Sequence, residues 1–403
     1  MTELPARSRP GAATRTERLR LAPGEGRAVG ALAAIYGVRM LGLFIMLPVL
    51  MLYARGLPGG SPALAGLAIG AYGLVQALLQ VPFGIASDRF GRRPVIAVGL
   101  VLFTAGSLLG AAATGIWGVI LARLVQGSGA VAGPVTALLA DLTRPAIRTR
   151  AMALIGISIG AAFVAALVGA PLLAARIGVP GIFLVTAGLA VLSLVLLYTV
   201  VPLPAPAGRA PAERRSLAPA FRADLVPYYV GILVLNAVLS ATFVGAPLAL
   251  HDRLGIAVAE HWRTYLGVFV ASIPLTVLLV LWTERTREPD RVLRAGIALL
   301  AGSLAACGFL LGNYWLLAAA LAAFFTAFNY LEARLPARLS LAADPAVRGA
   351  ALSVFATAQS LGSFAGAALG GPLSASRLGL GGVFAAAALL AVAWFLIDRR
   401  RCA

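Results

Sequence analysis

The chain reads as an all-α membrane protein: twelve transmembrane helices arranged as two parallel six-helix halves. Three observations lead there. Of the 403 residues 60% are apolar and 12% charged, whereas roughly a quarter of the residues in soluble domains are charged. The charges fall in short bursts between apolar runs, most of which reach the roughly 20 residues needed to cross the hydrocarbon. The chain also repeats: GAPLLAARIGVPGIF at 169–183 returns as GGPLSASRLGLGGVF at 370–384, with Gly, Pro, Leu, Ala, Arg, Gly, Gly and Phe in register at an offset of 201. Both copies close one span and open the next on the same side of the bilayer. Each repeat therefore holds an even number of spans, and six fits the length; parallel halves related by an axis along the membrane normal are a known transporter architecture.

In chain order, residues 1–28 carry six arginines and no apolar core, and read as a basic cytoplasmic tail, not a cleaved signal peptide. The first half, 29–202, holds spans at 29–53, 64–83, 94–113, 116–139, 151–175 and 180–202. Residues 203–226, rich in Pro, Ala and Arg, form a cytoplasmic linker. The second half, 227–398, holds spans at 227–250, 262–283, 292–312, 314–339, 347–374 and 380–398, and 399–403 is a short tail.

The net charge of +18 comes from 33 basic residues, all Arg. They are not gathered on one domain, so the pattern sets topology and does not bind nucleic acid. Counting the first residues of each span with the loop before it, the two tails and alternate loops hold 24 of them, the opposite loops five (Arg55, Arg176, Arg253, Arg263, Arg377), and the remainder of the spans four (Arg39, Arg123, Arg334, Arg338). The positive-inside rule then places both termini in the cytoplasm. An even number of spans requires the same. Cys307 lies in a span and Cys402 in the tail, so no disulfide or metal site is expected. His251 and His261 flank one loop without a nucleophile, and there is no Gly-Lys-Ser/Thr phosphate loop. The chain is therefore not expected to be an enzyme or to carry a cofactor.

The decapeptide GIASDRFGRR at 84–93 is wedged between two uncharged runs and must turn tightly at a membrane surface. Gly84 and Gly91 let the backbone bend and approach a neighbour, and Pro94 can start the next helix. In the form G-x-x-x-D-R-x-G-R-R this loop, with Gly84, Asp88, Arg89, Gly91, Arg92 and Arg93, resembles the signature loop between helices 2 and 3 of the major facilitator superfamily. ARLVQGSGA, with Arg123, Gln126, Gly127, Gly129 and Ala130, resembles the family's motif on helix 4. Gly169 and Pro171, preceded by Gly156 and Gly160, resemble part of the helix 5 motif associated with antiporters. RMLGLFIMLPVL at 39–50 and DLTR at 141–144 are similar to the bacterial YajR-type branch, which often carries a further cytoplasmic domain; the chain ends at Ala403, so no function of that domain is expected. ERTREPDR at 284–291 is a degenerate second copy of the signature loop.

The resemblance implies that Asp88 faces the N-terminus of span 11, where the helix dipole favours a carboxylate, and that Arg92 pairs with Asp141. Together they would form an inner gate holding the halves together while the cavity opens outward; the plainer alternative is that Arg89, Arg92 and Arg93 only hold topology. Arg123 lies deep in span 4 and needs a partner or water; the family links this motif to proton coupling, against a structural bond to a neighbouring helix. Arg39 is equally deep in span 1, where it either contacts substrate or stays hydrated in a vestibule. Glu332 is the one carboxylate well inside a second-half span. A carboxyl alternating between dry and cation-lined surroundings takes up and loses a proton, so Glu332 is a proton carrier or half of a static Glu–Arg pair. Polar stripes at helical spacing, Tyr72, Gln76 and Gln80, Asn236 and Ser240, and Gln359 and Ser363, together with Gln126 and Asn329, are the candidate cavity wall. Gly156, Gly160, Gly362 and Gly366 are spaced for close helix crossings.

The expected function is secondary transport by alternating access, as proton-coupled export of a small organic solute, from a monomer in the cytoplasmic (inner) membrane of a bacterium. Its partners would be solute, protons and membrane lipid. The alternatives are an organic-anion exchanger or facilitator using Arg39 and Arg123, and a membrane sensor that no longer transports.

Overall fold

The computed structural model describes residues 23–202, 218–344 and 347–401. Most of the 1–28 tail, most of the 203–226 linker and Cys402 lie outside the described residues. The described residues form α1 (Pro23–Phe44), α2 (Leu47–Arg55), α3 (Pro62–Phe90), α4 (Arg92–Ala112), α5 (Ile116–Gly127), α6 (Ala132–Asp141), α7 (Pro145–Thr199), α8 (Val226–Leu248), α9 (His261–Arg285), α10 (Pro289–Phe309), α11 (Tyr314–Ala342), α12 (Arg348–Ala375) and α13 (Gly379–Arg401). Eleven segments are long and apolar enough to span a membrane. One of them, Arg150–Thr199, doubles back at Gly178, whose φ of 66° is open to glycine at little cost. That makes twelve crossings, so both described ends lie on one face, called here the terminal face.

The element boundaries follow local chemistry. Ser61 Oγ accepts from the Leu64 N–H at 3.2 Å and Pro62 occupies the first turn, which starts α3. Asn313 caps α11 in the same way through the Leu316 N–H. Gly91, at φ 99°, ends α3 and lets α4 begin at Arg92, two residues before the expected start. Pro94 then sits in the first turn, where its missing N–H is not needed. Span 1 begins at Pro23, six residues earlier than the reading of 29, because Glu25 bonds Arg144 (2.7 Å) and ties the added turns to the bundle. Span 4 is broken between Gly127 and Ala132.

Within the first half α7 packs on α1 and α4, and α3 on α5; within the second, α8 packs on α12 and α10 on α13. The halves meet through α3 with α12, α7 with α9, and α2 with α8. The α3–α12 seam is backbone on backbone. A Cβ on Gly66, Gly73 or Gly371 would come within 2.4 Å of Ala367 O, 2.7 Å of Ser360 O and 2.4 Å of Pro62 O respectively. Gly362 and Gly366 lie as tightly against Leu233 and Ala237 of α8, as their spacing predicts. Gly156 and Gly160 do not: nothing stands within 4 Å of a Cβ on either, so the crossing expected there is absent. That face of α7 carries the exposed Ile157 and meets no helix at those positions.

Candidate functional site

The two faces differ in how the halves meet. On the face opposite the termini, α2 ends in Arg55 and α8 runs into Asp252. Their side chains form two hydrogen bonds of 2.6 Å across the halves. His251 Nδ1 lies 2.8 Å from the same carboxylate. Beneath this pair, Phe44 and Phe163 of the first half stack edge-on (5.0 Å), and Phe163 meets Phe243, Phe269 and Phe325 of the second at 6.0–6.2 Å. The glycine seam flanks this plug of five rings. Neither the plug nor the Arg55–Asp252 pair was visible beforehand. Both depend on contacts between distant helices, and the only sequence trace was an arginine in a loop set otherwise poor in them.

On the terminal face the seam ends. A Cβ on Gly84 of α3 or Gly349 of α12 would meet nothing within 4 Å. Here the signature loop staples the first half to itself. Arg92 pairs with Asp88 and with Asp141 (3.3 Å), and its Nη1 donates to Ser87 Oγ. Arg93 donates to the carbonyls of Leu197 and Tyr198 at 3.1 and 2.7 Å and covers the Tyr198 ring. Arg89 lies over Phe90. Asp88 and Asp141 remain about half exposed (49% and 45%). The Arg92–Asp141 pair is as the resemblance implies. Among the described residues no hydrogen bond or ion pair of the loop reaches the second half, so Asp88 holds Arg92 here and not the start of α12. Among the described residues the polar contacts between the halves lie opposite the termini, and none closes the terminal face.

The degenerate second copy retains the same tie with its charges exchanged. Asp290, 198 residues after Arg92, pairs at 2.7 Å with Arg338, 197 residues after Asp141.

Between the two faces lie the buried charges. Glu332 is seven residues along α11 from Phe325, and Asn236 seven residues along α8 from Phe243, both about 10 Å from the plug on its terminal side. Gln359 of α12 donates to Glu332 Oε1 (2.7 Å) and Asn236 Nδ2 to Oε2 (3.4 Å). No Arg is within ion-pair distance of Glu332 among the described residues, so the static Glu–Arg pair is not formed: Arg338 is taken by Asp290, and Arg334 Nε is unpartnered. Asn329, one turn from Glu332, is not among its partners.

In the first half, Arg39 and Arg123 bracket Tyr72. Arg39 Nη2 donates to Tyr72 Oη and to Gly129 O, each at 3.0 Å; that carbonyl lies in the break of span 4 and also accepts from the Val131 N–H at 2.8 Å. Arg123 lies 4.8 Å from the Tyr72 ring centre and donates to Gln126 Oε1 (2.8 Å), whose amide nitrogen donates to Ser107 of α4. Arg39 and Arg123 are 2% and 1% exposed, so neither meets bulk solvent in this conformation. No carboxylate balances them among the described residues, and Arg39 Nε and Nη1 and Arg123 Nε have no partner. Gly127 and Gly129 permit the tight packing, against Tyr72 O and Gly99 O.

Two cavity-wall assignments change. Gln126 is fully buried and spends its amide inside the first half, so it does not face a shared cavity. Ser363 belongs to the seam, its Cβ 3.5 Å from where Gly73 would carry one. Gln76 and Ser240 are buried, and Gln80 Oε1 is buried without a partner.

The sequence profile of the Major Facilitator Superfamily matches residues 32–282. The inner membrane transport protein YajR of Escherichia coli (strain K12) is 38% identical over 384 residues, covering 94% of this chain and 84% of YajR. The multidrug resistance protein MdtH of Yersinia pestis (strain Pestoides F) is 28% identical, covering 67% of this chain and 68% of MdtH. A bacterial homologue of the human lysosomal transporter Spinster, solved inward-facing and occupied, superposes with a TM-score of 0.74 at 16% identity, covering 94% and 97% of the two chains. Twelve crossings in two halves, the signature loop and these relatives agree: the chain belongs to the Major Facilitator Superfamily and is a membrane transporter of a small molecule, not an enzyme.

Proposed function

We propose that this protein exports a small organic solute from the cytoplasm in exchange for protons, working as a monomer by alternating access, with the terminal face in the cytoplasm. The observation that carries the reading is the setting of Glu332. A carboxylate clamped by arginine must break an ion pair to accept a proton. Glu332 is held by two neutral amides, whose N–H groups can donate to the ionised or the protonated group. It lies on the terminal side of the aromatic plug, within reach of the terminal face. Arg123 is a fixed positive charge in the opposite half. Gly84, Asp88, Arg89, Gly91, Arg92, Arg93 and Asp141 are the inner gate: a half-exposed Asp88 at the mouth is placed to receive the N-terminus of α12 when the terminal face closes. Tyr72, Gln76, Gln80, Asn236, Asn329 and Gln359 contribute the polar lining. The multidrug-resistance name of MdtH favours outward movement of solute.

A second reading, exchange of an organic anion, is favoured by the unpartnered donors on Arg39 and Arg123. A sensor that has lost transport would have no need of the gate residues, all of which are present.

The test is reconstitution in liposomes enclosing a pH-sensitive dye, screened against a solute panel. Solute-driven proton movement is expected in the native protein and should vanish in Glu332→Gln. Full proton movement in that variant would refute the assignment.

A further inference from the structure

We propose a binding site for an anionic glycerophospholipid on the second half, at the terminal-face end of the α10–α13 contact, with the phosphodiester among Arg291, Arg294 and Arg399 and an acyl chain over Ala295, Ala298 and Phe395. These six residues line one cleft of about 390 Å³. Arg291, Arg294, Ala295 and Ala298 follow the i, i+3, i+4, i+7 pattern of a single helix face. That face is cationic through the first two turns of α10 and apolar from Ala295 onward. Arg399 and Phe395, one turn apart on α13, repeat the order from the other wall. The two helices are antiparallel and packed together, so both cationic ends meet at the membrane surface and both apolar stretches run into the hydrocarbon. A phospholipid has the same polarity along its length.

Topology alone does not call for this arrangement. The positive-inside rule asks for arginines on a face, not for three guanidiniums converging on one cleft, where they repel. Glu288 pairs with Arg291 at the rim, and Arg294 is steadied by its Nε donating to Asp290 O at 3.3 Å. Asp290 itself is engaged by Arg338. An anionic headgroup relieves the remaining repulsion, and the exposed Ala295 and Ala298 offer it an apolar floor that free phosphate cannot use. The site is remote from Glu332 in sequence and separate from the signature loop, and does not depend on the transport reading.

The experiment uses the full chain purified in neutral detergent, with bound lipid read by native mass spectrometry and thermal unfolding read in parallel. Phosphatidylglycerol should be retained about 30- to 150-fold better than phosphatidylcholine, as expected for two or three basic side chains at an anionic headgroup. It should raise the unfolding temperature, whereas inorganic phosphate and glycerol 3-phosphate at the same concentration should not. The pair Arg294→Gln and Arg399→Gln should abolish the preference, whereas Arg285→Gln and Arg287→Gln, which remove the same charge from the exposed end of α9 and the loop after it, should keep it. Ala298→Trp, which fills the floor without touching a charge, should also weaken retention. Equal retention of both lipids, equal protection by free phosphate, or an undiminished preference in the cleft variants would overturn the proposal.

Discussion

Breaking the Arg55–Asp252 pair should open the face opposite the termini. The pair exists only while α2 and α8 are together, so its energy counts towards this conformation alone. Two unit charges about 4 Å apart attract by roughly 1 kcal/mol in water and roughly 4 at an effective dielectric of 20. The side chains are 28% and 37% exposed, and measured exposed pairs contribute about 0.2–1 kcal/mol. Two short charge-assisted bonds on a partly shielded pair put the value at about 1–2 kcal/mol. That shifts the ratio of the two conformations by about 5- to 30-fold. Arg55→Gln is the cleaner change, since Asp252→Asn also disturbs His251. With Cys307→Ala and Cys402→Ser as background, spin labels at Thr114 and Gly312 sit in exposed loops of opposite halves on that face, and their distance distribution reports the opening. Arg55→Gln, Asp252→Asn and the double variant should all show a similar long-distance population, because each removes the same interaction. A distribution unchanged from the native protein, or single effects that add in full, would show that the pair does not act as a latch.

Three further outcomes follow from the geometry. Gly366→Val should reduce the yield of monodisperse protein at a cost of about 3 kcal/mol or more, since even a Cβ would lie 1.9 Å from Ala237 O. Gly156→Ala should instead be neutral or raise the unfolding temperature, because its surroundings are empty and Ala is favoured over Gly inside a helix by about 0.5–1 kcal/mol. Arg338→Asp should destabilise the second half by about 0.5–1 kcal/mol, and adding Asp290→Arg should restore the unfolding temperature; lack of rescue would mean that the pair is incidental. Asp88→Asn should leave the present state intact and disfavour closure of the terminal face, read as loss of the long-distance population with the same two labels.

The spans were legible because hydropathy records which residues avoid water, and the bilayer leaves them few other places. The signature loop was legible because a tight charged turn between two membrane helices needs particular residues: Gly91 is where the backbone takes a positive φ, and Arg92 pairs with Asp141 as the resemblance implied. Hydropathy does not say what an apolar residue touches. Gly156 and Gly366 have the same i, i+4 glycine spacing, yet one faces open space and the other a backbone carbonyl. The five phenylalanines of the plug come from five helices and share no sequence pattern. Glu332 was singled out as a buried carboxylate, but its partners lie on α8 and α12, and Arg338, one of the two arginines that follow it on α11, was claimed by Asp290, a residue in a loop that reads as degenerate. Residue identity hid that last tie, since the duplicated position keeps the interaction and reverses its signs.

The seam between α3 and α12 has a mechanical consequence. Bare backbone against bare backbone offers no teeth to mesh, so it sets little resistance to one helix swinging over the other. Beyond Gly73 the helix continues for fifteen residues to Asp88, an overhang of about 22 Å. A swing of roughly ten degrees about that fulcrum carries its tip through about 4 Å, comparable to the reach of a side chain. A contact made or lost by one carboxylate at the tip is thus enough to register the stroke, while the fulcrum itself barely moves.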